Sequence, residues 1–135
     1  MVGWIIAPQA AIDNPGFGDD SEDGHSTCVA SKAVGADYAV AKGAKLIVVK
    51  MKYNTGDTAV VFDMVRKDIV DRGFQKKAVV NVSWGGYSSG GIIEKNHLRL
   101  ATSQQHIMND LDVPIVTSAG NEAEMPGRED IRSVP

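Results

Sequence analysis

The chain has 135 residues, of which 43% are hydrophobic and 23% charged, so its composition is that of an ordinary globular protein and excludes a wholly disordered chain. Fourteen basic residues against seventeen acidic ones give a net charge of −3, which supplies no electrostatic reason to bind nucleic acid or an anionic membrane. Apolar runs such as Leu46-Ile47-Val48-Val49 are far short of the roughly 20 residues a spanning helix needs, and no membrane partner is expected.

One domain is expected over 1–135, with a loop-rich lead-in at 1–23, a core at 24–122 and a polar tail at 123–135. Cys28 is the single cysteine, so no internal disulfide forms. Met1-Val2-Gly3-Trp4 has neither a basic start nor a long apolar stretch, and no signal peptide is expected in it. The compartment stays open.

Pro8, Asn14-Pro15-Gly16 and Gly18 break any regular pattern, and residues 1–24 read as loop. The acidic run Asp19-Asp20-Ser21-Glu22-Asp23 could hold Ca²⁺ through carboxylate oxygens, but it lacks an EF-hand pattern and reads as a solvated loop. His25 to Val34 is rich in small residues and closed by Gly35. It is expected to be a buried helix with His25 in its first turn and Cys28 in the core.

Three apolar segments then alternate with two helical ones. Lys45–Met51 is expected to be a strand. Thr58–Arg72 is expected to be a helix, capped by Asp57 or Thr58 and ended by Gly73, with Val61, Val65 and Ile69 on one face. Ala78–Trp84 reads as a second strand and residues 85–91 as a flexible turn. Ile93–Leu111 is expected to be a helix with Ile93, Leu100, Ile107 and Leu111 inward, and Val113–Ser118 a third strand. The alternation predicts an α/β fold: three layers, a mainly parallel sheet with helices on both faces. Ligands bind such sheets beyond the carboxyl ends of the strands, here Met51–Tyr53, Ser83–Gly86 and Ser118–Asn121.

Three places could carry chemistry. His25 opens a helix after an acidic loop and could act as a general base; on residue type alone, a helix-terminal histidine with no role is the commoner outcome. Asn121 follows a strand, where an amide N–H could stabilise a developing oxyanion, although asparagine is also a common turn residue. Ser83-Trp84-Gly85-Gly86 leaves a strand into paired glycines, and its open main-chain groups could pair with an extended peptide.

These segments together resemble a known family. Gly24-His25-Ser26-Thr27-Cys28-Val29-Ala30-Ser31 resembles the histidine motif of subtilisin-like serine proteases, G-H-G-T-H-V-A-[GS]. Val40-Ala41-Lys42-Gly43-Ala44-Lys45-Leu46 through Met51 resembles the V-A-x-x-A-x-L-x-x-V-K-V stretch that follows it. Val80-Asn81-Val82-Ser83-Trp84-Gly85-Gly86 resembles V-[IV]-N-[ML]-S-L-G-G, and Val116 to Glu122 resembles V-x-[AS]-A-G-N-E. Four motifs in family order cover 24–122, with wording similar to fungal members, so the chain is similar to the central part of such a catalytic domain.

The resemblance implies that His25 is the triad base, Asn121 the oxyanion donor, and Ser83, Trp84 and Gly85 the strand that pairs with substrate. It implies a peptide or protein substrate and no cofactor. The family's chain order is Asp, His, Ser. Only Asp13 faintly echoes the aspartate motif, and no Gly-Thr-Ser occurs in 1–135. The chain is therefore expected to be inactive alone, with the remaining parts in missing segments of a longer parent chain. A non-catalytic peptide-binding module is the alternative. A second is an α/β-hydrolase elbow at Gly86-Tyr87-Ser88-Ser89-Gly90; its histidine would have to be His97 or His106, both placed within a helix. His25-x-x-Cys28 lacks the second pair a zinc site needs, and no nucleotide-binding glycine motif is present.

Overall fold

The structure is a computed structural model and describes residues 2–13, 16–17, 23–51, 55–84 and 95–119. The described elements run in the order β1 (Val2–Ile6), α1 (Pro8–Asp13), α2 (His25–Val34), β2 (Leu46–Lys50), α3 (Thr55–Asp71), β3 (Val80–Val82), α4 (Lys95–Gln105), a π-helical turn (His106–Asp110) and β4 (Ile115–Thr117). The contacts divide the chain into two compact units, 1–64 and 65–135, with the boundary inside α3. Helices and parallel strands alternate, as an α/β fold requires. None of the described helices is long and apolar enough to cross a membrane.

In the first unit β1 pairs with β2 in parallel, from Val2 opposite Leu46 to Ile6 opposite Lys50. This corrects the reading of residues 1–24 as loop. Pro8 was the misleading residue. It occupies the first helical position of α1, where a missing N–H costs nothing and a fixed φ suits the helix. Ala7 joins the two elements: its N–H donates to the Lys50 carbonyl at 2.9 Å, its carbonyl takes the Ala11 N–H at 2.9 Å, and it is wholly buried. Lys50 Nζ donates to the Gly16 carbonyl at 2.9 Å, and the Phe17 ring lies 5.4 Å from that of Trp4.

The α2 helix has the expected bounds but not the expected burial, for none of its residues is buried. Val29, Ala30, Ala33 and Val34 form a half-buried face, while Cys28 is exposed rather than part of the core. Short side chains have little area to bury, and i, i+4 spacing places only one side of the helix inward. Gly35 caps the helix, though not through a left-handed conformation: its φ is −63° and its ψ 157°. The glycine answers a close approach. Its N–H bonds the Ser31 carbonyl at 2.9 Å, and a Cβ would collide with that same oxygen. Gly35→Ala is expected to lower stability by about 1–3 kcal/mol through this overpacking, measured by urea unfolding. Beyond it, the Val40 and Ala41 N–H groups bond the Lys32 and Ala33 carbonyls, holding a turn in which Tyr38 and Val40 are more than nine-tenths exposed.

The α3 helix begins at Thr55, three residues before the expected start. Val61, Val65 and Ile69 are buried as the spacing predicts, and Thr58, Ala59 and Phe62 widen the stripe. Gly73 ends the helix at φ 66°. The Phe74 N–H bonds the Ile69 carbonyl at 2.9 Å and the Gly73 N–H bonds that of Val70 at 3.1 Å, the paired bonds of a Schellman cap. On the outer face Arg72 Nε donates to Asp68 Oδ1 at 2.7 Å, and Lys67 pairs with Asp71 one turn away.

In the second unit β3 and β4 pair in parallel, Val80 opposite Ile115 through Val82 opposite Thr117. Both strands are shorter than the apolar segments that predict them. Among the described residues β2 pairs with β1 and β3 with β4. The crossover helix α4 keeps Leu100 and Ser103 buried, and the stripe continues to Ile107. There the helix widens into the π-helical turn, closed by the Leu111 N–H on the His106 carbonyl. Leu111 is half-buried, and the side chain of Ile93 lies outside the described residues. Val113 is wholly buried, and its N–H bonds the Ile107 carbonyl at 3.2 Å.

Candidate functional site

His25 is the first residue of α2 and is exposed. The preceding chain makes the helix start there. Gly24 adopts φ 63° and ψ 23°, a left-handed conformation that ends the incoming loop, and its carbonyl accepts the Cys28 N–H at 3.0 Å. Asp23 Oδ1 accepts the His25 N–H at 3.1 Å. This contact went unread in the sequence, although its signal, an Asp-Gly pair directly before a helix, was present. Cys28, three residues on, shares the helical face with His25.

Asp13, the faint echo of the aspartate motif, ends the short helix α1, where Gln9 Nε2 donates to its Oδ1 at 2.9 Å. It stands on a helix, not at the end of a strand.

In the second unit the carboxyl ends of two parallel strands lie side by side. The Ser118 N–H donates to the Val82 carbonyl at 3.1 Å, which carries the ladder one step beyond Thr117. Ser83 and Trp84 leave β3 at this end, both half-buried. Asn81 Nδ2 donates to Ser83 Oγ at 2.9 Å and orients that hydroxyl. Ser83, Trp84 and Ser118 thus stand at the paired carboxyl ends of β3 and β4. Gly85, Asn121 and Ser88 lie outside the described residues. His97 falls within α4 and His106 opens the π-helical turn. Among the described residues no three His, Cys, Asp or Glu side chains gather as a metal site would require.

The chain is similar to several fungal proteases. It is 40% identical over 72 residues to an alkaline proteinase of Hapsidospora chrysogena, covering 50% of this chain and 18% of that one. It is 34% identical over 106 residues to alkaline protease 1 of Aspergillus clavatus, covering 73% of this chain and 23% of that one. It is 32% identical over 113 residues to subtilisin-like protease 3 of Pseudogymnoascus destructans, covering 80% of this chain and 26% of that one. The chain thus spans about a quarter or less of the length of these curated relatives. No solved structure matches it significantly. The family model of the subtilases matches residues 7–134, which takes in His25, the strand end at Ser83 and Trp84, and Asn121: the chain belongs to the subtilase family.

Proposed function

We propose that residues 1–135 are part of a subtilisin-like serine endopeptidase domain that hydrolyses peptide bonds. The observation that carries this reading is the family match over 7–134, which spans all four motifs in order. The relatives that match bear protease names, which makes a peptide or protein the fitting substrate.

In this reading each residue has one task. The imidazole of His25 takes the proton from a serine hydroxyl as that oxygen attacks the scissile carbonyl, then returns it to the leaving amine. The side-chain amide of Asn121 donates to the carbonyl oxygen as it becomes an oxyanion. Ser83, Trp84 and Gly85 hold the substrate backbone through main-chain hydrogen bonds, as a strand leaving a parallel ladder can do. No step invokes a cofactor. The nucleophile is not among residues 1–135, which contain no Gly-Thr-Ser, and Asp13 on its helix is a poor triad acid. The 135-residue chain by itself is inactive, because covalent catalysis needs nucleophile and base within hydrogen-bond reach.

A fluorophosphonate probe tests this directly. Incubated with the folded chain, it is expected to label no serine. A labelled peptide recovered by mass spectrometry would overturn the missing nucleophile, and label on Ser88 would establish the hydrolase elbow instead. The alternative, a module that binds peptides without cleaving them, is supported by the paired strand ends at Ser83 and Ser118.

A further inference from the structure

We propose that Asp23 and Gly24 form a latch that fixes the backbone of His25, which makes Asp23 a positioning residue for the base. The inference deepens the protease reading and rests on it for the role of His25.

The first N–H groups of a helix have no carbonyl partner within it. His25 carries the first of them in α2, and the Asp23 carboxylate accepts it at 3.1 Å. A carboxylate reaches the N–H two residues ahead only if the chain bends back between them. Gly24 supplies that bend, at φ 63° and ψ 23°. The next bond follows at once, from the Cys28 N–H to the Gly24 carbonyl at 3.0 Å. The entry to α2 is therefore held twice, by a side chain before His25 and by the main chain at the residue preceding it. The carboxylate is charged, which strengthens its bond and suits the positive end of the helix dipole.

A base benefits from such a hold. First-turn residues fray, and a general base works only within about 2.6–3.2 Å of the proton it removes. Misplacement by about 1 Å costs on the order of 10²-fold in rate. His25 is exposed, and the bond at its N–H limits how far the root of its side chain can shift.

Amide hydrogen exchange on the ¹⁵N-labelled 135-residue chain tests the latch without requiring hydrolysis. Asp23→Ala is expected to speed exchange at the His25 N–H about fivefold, the usual consequence of losing a capping oxygen. Asp23→Asn, whose amide oxygen still accepts, is expected to restore it to within about twofold of the parent. Gly24→Ala is expected to act like Asp23→Ala. A Cβ at 24 meets no atom within 4 Å, so that variant reports on the left-handed conformation alone. The amides of Ile47, Val48 and Val49 in β2 serve as the internal reference and are expected to keep their rates. The three-bond couplings of the His25 side chain are expected to average in Asp23→Ala and not in Asp23→Asn. Unchanged exchange at His25 in Asp23→Ala, failure of Asn to rescue it, or equal acceleration in β2 would each overturn the latch. None of these outcomes depends on a nucleophile, so the latch and the protease reading fail separately.

Discussion

Ile107→Ala is expected to lower the unfolding free energy by about 3–4 kcal/mol, the larger part of the range for deleting a buried isoleucine. Ile107 is fully buried, and the stripe Leu100, Ser103, Ile107 lies on one side of the crossover helix as it enters the π-helical turn. Its carbonyl also holds the N–H of Val113, another wholly buried residue, at 3.2 Å. Ile107→Val removes one methylene and is expected to cost about 1 kcal/mol. Urea unfolding followed by far-UV circular dichroism measures both. A loss under about 1 kcal/mol for the alanine variant would contradict the burial.

Phe62→Ala is expected to have a comparable effect, about 3–4 kcal/mol. Phe62 is 3% exposed on the buried stripe of α3, between Ala59 and Val65. It is the only aromatic residue among the described buried ones, so its removal leaves the largest void on that helix. Val70→Ala on the same helix, at 45% exposure, is expected to change stability by less than about 0.5 kcal/mol. The contrast between the two separates loss of packing from loss of helix propensity. Equal effects would mean that the helix does not bury its predicted face.

The sequence was most legible where period and punctuation agreed. The four-residue spacing of Val61, Val65 and Ile69 marked the inner face of α3, and Gly73 marked its end. The run Lys45–Met51 was read as a strand and forms one over Leu46–Lys50. The lead-in was misread because Pro8, Asn14-Pro15-Gly16 and Gly18 count as breakers in a local reading, while a distant partner settles the matter for its first residues: Lys50 supplies the carbonyl that continues the ladder to Ala7. Strand partners were not legible at all, since register depends on which edge is near and not on local composition. The burial of α2 was overestimated for a related reason: small residues permit close packing but do not supply it.

The site was legible to a different degree. Placing His25 in the first turn of its helix needed only the acidic loop and glycine before it and the small residues after it. The hydrogen bond from its N–H to Asp23 depends on the left-handed Gly24, which no periodicity reveals. Ser83 and Trp84 were placed at the end of the strand Ala78–Trp84 by the paired glycines that follow them, whereas the bond by which Asn81 orients the Ser83 hydroxyl left no signal in the pattern.

The wide turn at His106–Asp110 bears on how this crossover tolerates changes in length. A π-helical turn winds one residue more into a single turn than the ordinary helix, so the segments on either side keep the facing they would have without it. Removing one residue within it lets the winding tighten to the standard pitch while both flanking segments keep their own hydrogen bonds. The same deletion in the middle of α4 would turn Leu100 and Ser103 out toward water. Within the described stretch from Lys95 to Thr117, the loss of a single residue is therefore best absorbed at this one point, which acts as slack in the winding.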